Sequence, residues 1–178
     1  MADQEDVYSV WALPPPEVSD RIKALTATLR SEFGGPQFDP HITVVGAIRL
    51  TRESATRYLR TASESLSPYA ARVAAVARGF FYQCVYLLIE PTPEVLEAGA
   101  HCSKHFGYEA PTPYMPHLSL LYGDLTEEEK EKARKRVEEL DAGLVGLAFK
   151  VSSIGLFKTD TEDKSLKSWE KIEICDLK

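Results

Sequence analysis

Alternating branched and aromatic residues from Val7 to Leu13 (VYSVWAL), stopped by Pro14-Pro15-Pro16, predict a strand at the start of the chain. Val18, Ile22, Leu25 and Leu29 recur at helical spacing, and Gly34-Gly35-Pro36 closes that helix. His41 to Ala47 reads as a second strand. A helix from about Thr51 follows, with Ala55, Tyr58, Leu59, Ala62 and Leu66 on its buried face. Arg72 to Arg78 and Phe80 to Ile89 read as two strands of a hairpin around Gly79. Thr92 and Pro93 are an N-cap and first helical position for a helix running to about Phe106. Gly107 to Pro116 holds three prolines and predicts an irregular loop, after which His117 to Tyr122 returns to strand character. Thr126 with Glu129 forms a capping box for a fourth helix, with Ala133, Val137 and Leu140 inward. Phe149 to Phe157 and Trp169 to Leu177 read as two final strands. Alternating strands and helices with interspersed hairpins indicate an α+β protein rather than a doubly wound parallel sheet.

The pattern repeats. Pro40-His41-Ile42-Thr43-Val44 matches Pro116-His117-Leu118-Ser119-Leu120 type for type, with the two histidines 76 positions apart. Each copy is followed by a similar helix start, at Leu50-Thr51-Arg52-Glu53 and Leu125-Thr126-Glu127-Glu128. Two related half-units in one chain are expected. Alternation puts His41 and Thr43 on one face of a strand, roughly 7 Å apart, and Ile42 and Val44 on the other. His117 and Ser119 are arranged likewise. A pseudo-two-fold packing of the halves would bring two imidazoles and two hydroxyls into one pocket. Such a set suits displacement at phosphorus without a metal: one imidazole acts as base, the other as acid, and the hydroxyls hold phosphate oxygens.

Composition narrows the choice of substrate. The 178 residues are 44% hydrophobic and 27% charged, values of a globular domain, and a single domain over 1–178 is expected. A net charge of −6 disfavours gripping a long nucleic acid but leaves room for a small phosphate. The acidic start Met1-Ala2-Asp3-Gln4-Glu5-Asp6 is unlike a leader peptide, and no apolar run is long enough for a membrane span. Three cysteines (Cys84, Cys102, Cys175) give no disulfide framework and read as free thiols of a cytoplasmic protein, expected to be a monomer. His101 and His105 have metal-compatible spacing but lack a third ligand, so they read as a solvated helix face. Lys158-Thr159-Asp160 reads as a surface loop rather than a phosphate contact. No metal and no cofactor is expected.

The double motif resembles that of the two-histidine (2H) phosphoesterases, whose signature is two H-x-T/S-x motifs. VYSVWALP (Val7 to Pro14), FYQC (Phe81 to Cys84), TPYMPHLSLLY (Thr112 to Tyr122) and KTDTEDK (Lys158 to Lys164) are similar to the plant cyclic phosphodiesterases within that group. The resemblance implies a bilobal fold in which two antiparallel sheets face a central cleft, helices outside. It implies hydrolysis of ADP-ribose 1″,2″-cyclic phosphate to the 1″-phosphate, a step downstream of tRNA splicing, and opening of nucleoside 2′,3′-cyclic phosphates to 2′-phosphates. Carried over, His117 would be the base and His41 the acid, with Thr43 and Ser119 on phosphate oxygens. Tyr122 would help place the attacking water, and Trp11 and Tyr82 would line the cleft. Ser63 and Tyr108 stand where cysteines are expected in plant relatives, so disulfide control is not expected here. The alternatives are an RNA-terminus enzyme of the 2′–5′ ligase kind and a nucleotide-binding module without catalysis.

Overall fold

The computed structural model describes residues 4–178; Met1-Ala2-Asp3, part of the acidic start, lies outside the described residues. The elements are β1 (Glu5–Leu13), α1 (Pro16–Phe33), β2 (Ile42–Thr51), α2 (Arg52–Glu64), β3 (Tyr69–Arg78), β4 (Val85–Ile89), α3 (Pro93–Phe106), β5 (His117–Leu121), α4 (Glu127–Leu140), β6 (Ala148–Val151), β7 (Ser153–Lys158) and β8 (Glu170–Asp176). Helix starts follow the local chemistry. Thr51, Thr92 and Thr126 each accept a backbone N–H with their hydroxyl, from Ser54, Val95 and Glu129. Glu129 returns the bond to the Thr126 N–H, completing the capping box.

All strand pairs are antiparallel, in the order β6-β3-β4-β5-β2-β1-β7-β8. The order maps onto itself when β5 is exchanged for β2, β4 for β1, β3 for β7 and β6 for β8, which is the pseudo-two-fold implied by the repeat. The two expected sheets are thus one curled sheet of two four-stranded halves. Among the described residues a single pair, Ile42 with Leu118, joins the halves. Both side chains are buried, as are Val44 and Leu120, so the apolar residues of each motif fill the core beneath the joint. Helices α2 and α3 pack together behind one half, α1 and α4 behind the other.

Three sequence expectations need correction. Phe80 to Ile89 is not one strand: Phe81–Gln83 form a 3-10 turn and pairing starts only at Val85. Phe80 and Tyr82 therefore do not share a strand face, and the Phe80 ring is 83% exposed. Phe149 to Phe157 is two strands broken at Ser152: β6 pairs with β3 in one half and β7 with β1 in the other. The apolar alternation changes phase there, from Phe149 and Val151 to Ile154 and Leu156, and that shift marks the crossing. His101 is not simply solvated; its Nε2 lies 3.0 Å from the Ala62 carbonyl on α2 and ties the two helices. Cys84, Cys102 and Cys175 are free, and no helix among the described residues is long and apolar enough to cross a membrane.

Candidate active site

The joint between the halves builds the site. Extending the antiparallel register from Ile42 and Leu118 by one residue each way sets His41 opposite Ser119 and Thr43 opposite His117. All four side chains leave the face opposite the core, and all four line one cavity of about 200 Å³. Trp11, Tyr82 and Tyr122 line it as well, so the residues expected to catalyse or to bind substrate are brought together. Among the described residues no Lys, Arg, Asp or Glu side chain is in its wall.

Both histidines are held by the same device. The Nδ1 of His41 is 2.7 Å from the Asp39 carbonyl, and the Nδ1 of His117 is 2.9 Å from the Met115 carbonyl. In each case the accepting residue precedes a proline, which confines it to extended backbone. Each Nδ1–H donates to that carbonyl, which leaves Nε2 with the lone pair for chemistry, although at His117 that lone pair must first exchange the Gln83 amide N–H it accepts.

Their surroundings differ. His41 is 4% exposed and stacks on Trp11, with ring centroids 3.5 Å apart and planes 8° from parallel. Phe157 stacks on the far side of Trp11 at 3.9 Å. Burial pushes the His41 imidazole down to about 3, against a smaller opposing effect of the Asp39 hydrogen bond. His117 is half-buried, its value also lowered by burial and partly restored by the Met115 bond. The Gln83 amide, on the 3-10 turn, donates to His117 Nε2 at 3.0 Å. Both imidazoles are neutral near pH 7 in the unliganded cleft.

The hydroxyls also differ. Ser119 Oγ is buried and donates to the Tyr82 carbonyl at 2.7 Å, so it must exchange that bond to reach a phosphate oxygen. The Tyr82 hydroxyl donates to the Thr161 carbonyl at 2.6 Å, tying the turn to the loop after β7. Tyr122 is buried with its ring stacked on Phe38 at 3.8 Å. Residues the sequence reading missed are Trp169, Ser9, Thr159, Thr161 and Gln83. Thr159 is buried, not on a surface loop, and its Oγ1 lies 2.6 Å from Ser9 Oγ in the cavity wall. The last strand, expected from Trp169, begins at Glu170; Trp169 precedes it and stacks on Tyr82 at 6.2 Å. The stretches around Gln83 and Thr159 carry the family resemblance, the one signal that pointed at them. Among the described residues no cluster of three or more His, Cys, Asp or Glu forms a metal site.

A two-fold sheet with a histidine and a hydroxyl from each half meeting at its joint is the fold that the resemblance to the 2H phosphoesterases implies. Solved structures agree on the fold. A crystal structure described as a phosphoesterase superposes with a TM-score of 0.69 at 12% identity, covering 98% of this chain and 99% of its own. Escherichia coli LigT complexed with 3′-AMP gives 0.64 at 11%, covering 98% and 99%. Within that class, the family model for cyclic phosphodiesterase-like protein matches residues 7–177, and the chain belongs to this family. The Arabidopsis thaliana cyclic phosphodiesterase is 51% identical over 98% of this chain and 97% of its own length.

Proposed function

We propose that the chain hydrolyses ADP-ribose 1″,2″-cyclic phosphate to ADP-ribose 1″-phosphate, and nucleoside 2′,3′-cyclic phosphates to 2′-phosphates, by metal-free acid–base catalysis. The observation that carries this reading is the pair of imidazoles, each with Nδ1 tied to backbone and Nε2 left for one cavity without charged side chains. His117 Nε2 takes a proton from water as the water oxygen bonds to phosphorus. His41 Nε2 gives a proton to the ring oxygen as its bond to phosphorus breaks. The cyclic diester and one water become a monoester, and the proton count of the pair is conserved. Thr43 and Ser119 donate to the non-bridging oxygens, Tyr122 helps place the water, and Trp11 and Tyr82 bound the substrate.

The assignment of roles follows from burial. An imidazolium at His41 is unfavourable alone, but the same low dielectric strengthens its attraction to a phosphate anion. The substrate thus supplies the charge that protonates the acid. His117, less buried, stays neutral, and water reaches its Nε2 in exchange for the Gln83 amide. Among the described residues no Lys or Arg lines the cavity, which suits small cyclic nucleotides rather than long nucleic acid.

Phosphorus NMR on both substrates in EDTA tests the reading. Appearance of the 1″- and 2′-monophosphates is expected. Absence of turnover in EDTA, with turnover restored by a divalent metal, would overturn the metal-free scheme.

A further inference from the structure

The histidine cavity, at about 200 Å³, is smaller than the 300–1,000 Å³ usual for sites that enclose a whole small molecule. It has room for a cyclic phosphate and its ribose. A second depression of about 820 Å³ continues from it, sharing Thr43, Gly46 and His117 in its wall. This trough runs between α3 and the proline-rich loop that precedes β5, along Leu96, Ala100, Tyr108 and Tyr114. It is apolar over most of its surface, and among the described residues no Lys, Arg, Asp or Glu side chain lines it.

The trough is built. Tyr114 donates its hydroxyl to the Thr43 carbonyl at 2.9 Å and lays its ring on Gly99, where a Cβ would come within 2.6 Å of the ring. Tyr108 is seated on Gly46 in the same way, its hydroxyl 2.5 Å from where a Cβ would stand. Two aromatic rings are thus fixed against two elements that lack side chains at the contact, and the depression between them stays open beside His117.

A ribose cyclic phosphate held between the histidines leaves this volume unused. Flat, uncharged groups gain from aromatic and proline walls, whereas a phosphate gains nothing where no cation waits. We propose that the trough is a subsite for a second, distal nucleoside. It would hold the uncharged base-and-ribose end of a dinucleotide-like substrate whose cyclic phosphate sits between the histidines. The charged linker of such a substrate stays at the solvent-open mouth. This inference rests on the acid–base reading of the histidine cavity and assigns where the remainder of the longer substrate goes.

The test compares ADP-ribose 1″,2″-cyclic phosphate with ribose 1,2-cyclic phosphate, which has the same reacting ring and no second nucleoside. For the wild-type chain, kcat/KM should be at least about tenfold higher for the longer substrate. Ala100 is exposed on α3, so Ala100→Trp fills the trough without entering the core. It should erase most of that advantage and leave the shorter substrate within about twofold of wild type. Leu96→Glu, also at an exposed position, should act in the same direction by repelling the anionic linker. Equal rates on the two substrates in the wild type, or an equal loss on both in the variants, would overturn the subsite. Turnover of neither substrate by the wild type would instead overturn the acid–base reading, and the subsite with it.

Discussion

Trp11 lies flat against His41, close enough that no water separates the rings, and Phe157 backs it on the other face. The indole both orients the imidazole and keeps it dry. Trp11→Ala should admit water and let His41 titrate nearer the ordinary 6.5. It should also cost about 3–5 kcal/mol in stability, and Trp11→Phe much less. An NMR titration of the imidazole resonances reads the first effect and urea unfolding the second. An unmoved His41 titration in Trp11→Ala would show that the stack is not what depresses it.

Stability should depend on pH through the same residue. The folded value of His41, about 3, lies below the 6.5 of an unperturbed histidine, so the unfolded chain binds the extra proton between those limits. Unfolding free energy therefore rises with pH across that window and is fully present above 6.5. The contribution is on the order of 4 kcal/mol, lost as pH falls toward 3. His41→Gln should flatten the dependence, measured by urea midpoints at pH 4.5 and 7.5.

Binding of an anionic product should draw a proton into the cleft. Adenosine 2′-monophosphate is expected to raise the His41 value toward neutrality, so its affinity should weaken as pH rises above 7. Calorimetry in buffers of different ionisation enthalpy reads the uptake directly. Replacing His41 or His117 with Ala should each cost on the order of 10²–10⁴ in kcat.

The two hydroxyls should separate. Thr43→Ala removes a cavity hydroxyl and should lower kcat/KM by an amount equivalent to about 1–3 kcal/mol, with little change in Tm. Ser119→Ala also breaks the bond to the Tyr82 carbonyl, so it should lower both kcat/KM and Tm.

Gln83→Glu should raise the His117 value, because a carboxylate in hydrogen-bond reach of Nε2 favours the imidazolium. The acid limb of the kcat profile should move up in pH. Gln83→Ala removes a donor that favours the neutral ring, so it should move that limb up by less than Gln83→Glu does.

Much of this site was legible in the chain because its chemistry is written twice. A strand periodicity of two places His41 with Thr43 and His117 with Ser119 on one face, and the duplicated helix starts imply that the halves meet. What the pattern could not carry was pairing. The apolar alternation of Ala148 to Lys158 changes phase at Ser152-Ser153, which signals a break, yet nothing local distinguishes one partner strand from another. The aromatic cluster Phe80-Phe81-Tyr82 has strand propensity, but its Gln83 N–H closes back on the Phe80 carbonyl to make a turn. Trp169 and Thr159 enter the cavity through long-range packing of the segment between β7 and β8, which has no periodicity of its own.

The prolines at 40 and 116 have a consequence for timing. A free imidazole interconverts between two neutral forms, and only one presents a lone pair on the useful nitrogen. With Asp39 and Met115 confined by the proline that follows, their carbonyls are aimed at Nδ1 from the moment the chain folds. The choice of form is made once, during folding, and is not repeated at each encounter with substrate.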